Sequence, residues 1–259
     1  MFYSDKWAYF RFQRTGSKII AWILIELENG VEKKEELFTT VREPEALRHK
    51  GKVWISSVRH PLPWNHSHYD DYIFGLQNHV SRIYNYLEPV FYTPTDHRNF
   101  VNFGQHLDLL YSCDLDEEWV TGHGHHINPY IMNSLGIGVQ TYKFLDMYSK
   151  YHPRHFLDLG YTIDDLLEDY DNYMAIDDFI IHSDVELFEN TMSTLTRCGI
   201  NYSNEAVQRA KKMVRDNPKR VISYKKLYTP QTEKLVLEKE QFIIKKFFKN
   251  GSRIRTQNY

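Results

Sequence analysis

Cysteine is scarce: Cys113 and Cys198 are the two in 259 residues, so no disulfide framework staples the chain, and a reducing setting fits it. Neither sign of charge dominates. Lys and Arg number 32 against 34 Asp and Glu, a net charge of −2, so no global basic field draws nucleic acid to the protein. Any anion has to be held by local groups. Long apolar runs are missing too. No window approaches the roughly 18 apolar residues of a spanning helix, and the best run, Ile19 to Leu27, is broken by Glu26. Met1 to Lys6 shows no charged leader followed by an apolar stretch. These absences lead us to expect a cytoplasmic protein with no signal peptide and no membrane span. There is also no internal repeat, no low-complexity tract and no linker rich enough in Pro, Gly or Ser to split the chain, so one domain over 1–259 is expected.

What is present is ordinary for a globular chain, with 42% hydrophobic and 25% charged residues. Aromatic residues are abundant at 15%, 19 of them tyrosine, and they read as rings packed half-buried rather than as a special aromatic site.

Strand and helix signals alternate. Trp7 to Phe12 reads as an aromatic strand, followed at once by the turn Gln13 to Lys18 and an apolar helix ending near Asn29-Gly30. Glu36 to Val41 is a possible second strand. Val53 to Val58 is a clearer one, β-branched and bounded by Gly51 and Pro61. A helix is expected over Tyr69 to Leu87, then a less regular, substrate-facing region over about 88–160. Beyond it, Thr162 with Asp165 forms a capping-box pattern for a helix to about Tyr170. Asp178 to Ser183 reads as a buried strand, Val185 to Arg197 as a helix closed by Gly199, and Ser203 as the cap of a helix to about Arg215. Thr229-Pro230 opens a last helix with Leu235, Val236, Ile243 and Phe247 on its apolar side. This alternation points to an α/β fold with a central, mostly parallel sheet covered by helices.

Two segments carry chemistry. Gln13-Arg14-Thr15-Gly16-Ser17-Lys18 sits between a strand and a helix, where backbone N–H groups and the positive helix end face an anion. Gly16 permits close approach, Thr15 and Ser17 offer hydroxyls, and Arg14 and Lys18 bring positive charge. The GxxxxGK[ST] pattern of a nucleoside-triphosphate loop is absent. Further on, the strand VWISSV delivers Arg59-His60-Pro61, with Ser67 eight positions after Arg59. A guanidinium at the carboxyl end of a strand and a hydroxyl on the next helix suit a second phosphate.

In this order the two segments resemble the sulfotransferase superfamily. Its members carry a loop of the type [KR]-[ST]-G-[ST]-[ST], then a strand ending in R-[DNH]-P and a Ser eight residues after that Arg. Here these read QRTGSK and VRHPLPWNHS. Lys18 stands where a second Ser or Thr is common, and Gln13 where Pro is common. IGVQTYKFL, DDFIIHSDVELFENTMSTLTRCGI and the tail KKLYTPQTEKLVLEKEQFIIKKFF extend the likeness along the chain, closest to the membrane-type and bacterial or phage branch. The RKG-containing segment of the cytosolic branch is missing.

The resemblance implies a P-loop-like three-layer fold and transfer of a sulfuryl group from 3′-phosphoadenosine 5′-phosphosulfate (PAPS) to a hydroxyl or amine, leaving adenosine 3′,5′-bisphosphate (PAP). Arg14, Thr15, Gly16, Ser17, Lys18 and Ile19 would hold the 5′-phosphosulfate, and Arg59 with Ser67 the 3′-phosphate. Arg14 and Lys18 would also stabilise charge on the leaving phosphate, with no metal required. An acceptor hydroxyl needs a base. Glu43 is the positional choice, with Glu36 and His49 behind it. The acceptor would be a carbohydrate or small metabolite rather than nucleic acid. The run Thr121-Gly122-His123-Gly124-His125-His126 is a further cluster, read first as a hydrogen-bonded loop, then as a lining of the acceptor cleft or source of a base and, less in keeping with its surroundings, as a zinc site. Two other readings stand beside this one: a P-loop-type kinase of a small metabolite, and a non-catalytic binding protein that keeps the fold.

Overall fold

A computed structural model describes residues 1–12, 15–28, 40–74, 103–111, 119–120, 126–183, 185–216 and 224–248. In chain order the first elements are β1 (Phe2–Tyr3), β2 (Trp7–Tyr9), α1 (Ser17–Leu27), α2 (Pro44–Leu47), β3 (Val53–Val58), α3 (Pro61–Phe74) and α4 (Phe103–Tyr111). A short hairpin of β4 (Trp119–Val120) and β5 (His126–Ile127) follows, then α5 (Pro129–Leu135), α6 (Val139–Tyr148), α7 (Pro153–Asp158), α8 (Ile163–Glu168) and α9 (Tyr170–Tyr173). The chain continues through β6 (Asp178–Ile181), α10 (Leu187–Arg197), α11 (Asn204–Asp216), a 3₁₀ turn at Tyr224–Leu227, α12 (Pro230–Lys239) and α13 (Gln241–Phe247). No helix among the described residues is long and apolar enough to cross a membrane.

The chain divides into two compact units, neither of them a continuous stretch. One comprises Met1–Arg59, Met147–Lys150 and Tyr173–Ser223; the other His60–Asp146, Tyr151–Asn172 and Tyr224–Tyr259.

The first unit holds a small α/β sheet in the order β1-β2-β3-β6. β1 pairs antiparallel at one edge, while β2, β3 and β6 run parallel, with Tyr9 opposite Ile55 and Val58 opposite Ile181. Interior parallel strands are covered on both faces, and β2 and β3 accordingly lack the polar alternation of a half-exposed strand. On one face α1 presents Ile20, Ala21, Ile23, Leu24 and Leu27 to Trp7, Tyr9, Ile55 and Ile180, and to Leu195, Ala206 and Ala210 of α10 and α11. Each fully buried Ile or Leu there contributes about 1.5–3 kcal/mol. Against the other face Tyr148 packs edge-on to Phe12 and Phe179. Tyrosine serves this core as expected of packed rings: Tyr202 bonds Trp7 Nε1 and Glu28 instead of facing a ligand.

Helices make up nearly all of the second unit's regular structure. Glu240 is fully buried between α12 and α13. Its Oε1 accepts from Tyr111 Oη (2.9 Å) and Gln140 N (2.9 Å), and its Oε2 from Thr141 N (2.8 Å) and Thr141 Oγ1 (2.6 Å). A carboxylate from far along the chain thus satisfies the orphan amides at the start of α6. Burial raises its pKa, working against the four donors, which favour the ionised form. Gly138 is glycine for want of room: a Cβ there would run into the Glu240 carboxylate and the Tyr111 ring.

Several expectations change in detail. The strand at Trp7 stops at Tyr9, although Phe10 N still bonds Ile55 O (2.8 Å) before the chain leaves the sheet. Thr40 and Val41 are not strand; Val41 N bonds Met147 O instead (2.8 Å), and 36–39 lie outside the described residues. The helix expected over Tyr69 to Leu87 begins at Pro61, because His60 caps it, and 75–87 lie outside the described residues. Where it is described, the region 88–160 is mostly helical, in α4 to α7. The last helix is two, bent at Glu240 by the bonds just given.

Candidate functional site

β2 and β3 are neighbouring parallel strands, so the segments leaving their carboxyl ends emerge at one edge, where α/β sheets bind ligands. After β2 the chain reaches Gly16 at φ 74°, ψ 12°, a left-handed conformation that glycine adopts without strain, and α1 starts at the next residue. Ile19 N and Ile20 N both bond Gly16 O (3.0 and 3.1 Å). Among the described residues no side chain caps α1, which leaves the amides of its first residues directed off the helix end together with its positive pole.

Thr15 fastens this turn to the sheet. Its hydroxyl is fully buried, donates to Phe12 O (2.7 Å) and lies 2.6 Å from Ser57 Oγ on β3. Ser57 Oγ in turn lies 2.8 Å from Tyr9 Oη. The neighbouring Ser56 Oγ donates to Phe10 O (2.7 Å). Because the Thr15 proton is already given to a carbonyl, what Thr15 holds out to an anion is its backbone. Ser17 is buried, and Ile19 half-buried, in the first turn of α1. Lys18 is exposed, with its ammonium 5.1 Å from the Trp22 ring centroid one turn along the helix. Gln13 and Arg14 lie outside the described residues.

Arg59 follows β3 directly and is half-buried. By the two-residue alternation of a strand it falls on the face of Ser57, the face that carries Thr15 and α1. His182, buried just past β6, bonds Val58 O through its amide (2.7 Å) and follows Ile180 by two residues, which puts it on that same face beside Arg59. The turn at Gly16 and Arg59 therefore share a sheet edge and a face. Ser67 is half-buried in the second turn of α3 and belongs to the other unit.

The imidazole between Arg59 and Pro61 has a local task. His60 Nδ1 accepts from Leu62 N (3.3 Å) and its carbonyl from Trp64 N (3.1 Å), the pattern of a helix cap. Burial lowers its pKa to about 4, which keeps the ring neutral and able to accept.

The base candidates part company. Glu43 is half-buried ahead of α2, and its Oε1 accepts from Thr40 N (3.3 Å). His49 is misplaced for the role. It packs on Tyr3 (4.2 Å between ring centroids), and its carbonyl accepts from Trp54 Nε1 (2.9 Å) at the beginning of β3. That is toward the opposite end of the sheet from Thr15, about 10 Å away along the strand, the span from Trp54 to Ser57. Glu36 and residues 121–125 of the histidine run lie outside the described residues. Among the described residues no group of three His, Cys, Asp or Glu side chains could hold a metal. A groove of about 490 Å³ also opens at the strand-start end, lined by Lys52, Asp177, Asp178, Arg197 and Cys198. Arg197 is tied to Asp178 there (2.8 Å) and Asp177 to Trp54 N (2.6 Å), so its walls are occupied by structural bonds.

Sequence reasoning passed over Tyr9, Ser56, Ser57 and His182. The signals were present. Two adjacent serines inside an apolar strand must find buried partners, and the rule that singles out Arg59 at a strand end applies equally to His182. Comparison with protein families, with curated proteins and with solved structures finds no match to this chain.

Proposed function

We propose that this chain is a sulfotransferase of P-loop-like fold that takes PAPS as donor and releases PAP. The observation that carries the reading is the Thr15–Ser57 hydrogen bond. It joins the uncapped start of α1 to β3 two residues before Arg59, and so supports a site that grips both ends of a doubly phosphorylated adenosine. Amides at the start of α1, with Arg14 and Lys18, receive the 5′-phosphosulfate; Arg59 receives the 3′-phosphate.

In the reaction the acceptor oxygen forms a bond to sulfur as the bond from sulfur to the bridging oxygen breaks. The electron pair stays on the departing phosphate, where the cationic groups stabilise it. The acceptor proton passes to a base, assigned here to Glu43. A hydroxyl of a carbohydrate or small metabolite is the proposed acceptor.

Thermal denaturation tests the reading. PAP at a hundredfold excess over its Kd stabilises a protein by about 2.7 kcal/mol. We expect such a shift with PAP and none with ATP–magnesium, and its loss in both Arg14→Ala and Arg59→Ala. A shift with ATP–magnesium alone would favour the kinase. PAP binding without turnover on any acceptor would favour a binding protein.

A further inference from the structure

The hydroxyl groups behind the turn have a fixed direction. Thr15 Oγ1 has one proton, and it goes to Phe12 O. The 2.6 Å contact with Ser57 Oγ therefore requires Ser57 to donate. Ser57 has then spent its own proton, so the 2.8 Å contact with Tyr9 requires the phenol to donate. Burial raises the Tyr9 pKa far enough to keep that proton in place at any physiological pH. All three residues are buried to the last atom. The result is a one-way chain from Tyr9 to Ser57 to Thr15 to Phe12 O, linking β2, β3 and the turn.

We propose that Tyr9 and Ser57 are positioning residues for the anion site: their chain of donors fixes Thr15, and through it the Gly16–Lys18 amides, in a geometry ready for a tetrahedral oxyanion before any ligand arrives. This rests on the reading of the turn as the phosphosulfate loop. The geometry favours positioning over contact, because no hydroxyl in the chain keeps a proton to offer a ligand. It also explains polar atoms in the middle of an apolar strand. A Val–Ala pair in place of Ser56-Ser57 would fill the space, yet remove the 2.7 Å bond from Ser56 to Phe10 O and leave Thr15 held at one point instead of two. An anion site gains from such fixing because donors already aimed need no rearrangement on binding.

Amide hydrogen exchange of the free protein and calorimetric titration with PAP test this together. Ser57→Ala and Thr15→Val remove the link between strand and turn, and Thr15→Ser restores it. Exchange at Ile19 and Ile20, whose amides bond Gly16 O, should quicken about tenfold in the first two variants and PAP affinity should fall about tenfold, the size expected for losing one buried hydrogen bond. Thr15→Ser should match the wild type in both. Ile200→Val, which thins the same core beyond α10, should change neither. Unchanged exchange and affinity in Ser57→Ala and Thr15→Val overturn the proposal, as does equal weakening in Ile200→Val, which would reduce the effect to stability. If the wild type does not bind PAP, the sulfotransferase reading fails. Quickened exchange confined to the two variants would still uphold the anchoring of the turn, and unchanged exchange would overturn it as well.

Discussion

Replacing Glu240 by glutamine exchanges one oxygen for an NH₂ group at almost constant volume. The native carboxylate receives four donors, two of them the backbone amides of Gln140 and Thr141. A glutamine amide has one acceptor oxygen. Whichever way it turns, its NH₂ meets one of those backbone N–H groups, and a backbone N–H inside a helix cannot rotate away. Two buried donors are then left facing each other without an acceptor. At about 1–3 kcal/mol for each, the loss comes to about 2–6 kcal/mol. Removing the negative charge from the start of α6 adds about 0.3–1 kcal/mol. Against a typical domain stability of about 5–15 kcal/mol the effect is large. Equilibrium urea unfolding followed by circular dichroism would show it as a fall in midpoint, and hydrogen exchange at Gln140 and Thr141 would locate it. A variant within about 0.5 kcal/mol of wild type, well under the cost of one unsatisfied donor, would refute the reasoning and mean that the pocket rearranges around the amide.

Gly138→Ala tests the same place from the other side: the added methyl meets a carboxylate pinned by four bonds and a buried ring, so a loss of about 1–3 kcal/mol by urea unfolding is expected, with little change refuting the close fit. Stability should also depend on pH through two histidines that burial holds neutral, His60 with a pKa lowered to about 4 and His106 to about 3. Their unfolded pKa is higher, so the unfolded chain binds more protons; the contribution is complete above about pH 6.5 and is lost as pH falls toward the folded values. Each histidine should add about 1.4 kcal/mol per pH unit between about pH 6 and 5, and a neutral residue in place of either should remove its share of the slope. A flat profile over that interval would contradict the burial of both.

Features confined to a few consecutive residues were legible in advance. Thr162 and Asp165 form both bonds of their capping box, and Thr229-Pro230 opens α12 with Pro at its first position. VWISSV is β3, and Ser203 Oγ accepts from Ala206 N at the start of α11. In each case the partners lie within one turn or one strand, so spacing alone specifies them. The bend at Glu240 was not legible, because an apolar stripe continues through it; its cause is the start of α6, a hundred residues earlier. His60 likewise reads as part of an Arg-His-Pro anion turn until the Leu62 amide is seen bonded to its ring.

The amino-acid order by itself determined β3, the capping boxes at Thr162 and Thr229, the glycine of the turn and the placing of Arg59 at a strand's end, since these follow from local backbone sterics and hydrophobic period. Tertiary structure alone decided that Ser57 meets Thr15 across 42 residues, that His182 joins Arg59 on one face, and that His49 sits at the wrong end of the sheet. The physical reason is the parallel crossover. Which strands become neighbours, and in what register, depends on how the intervening helices bury their faces, and no short motif records that outcome.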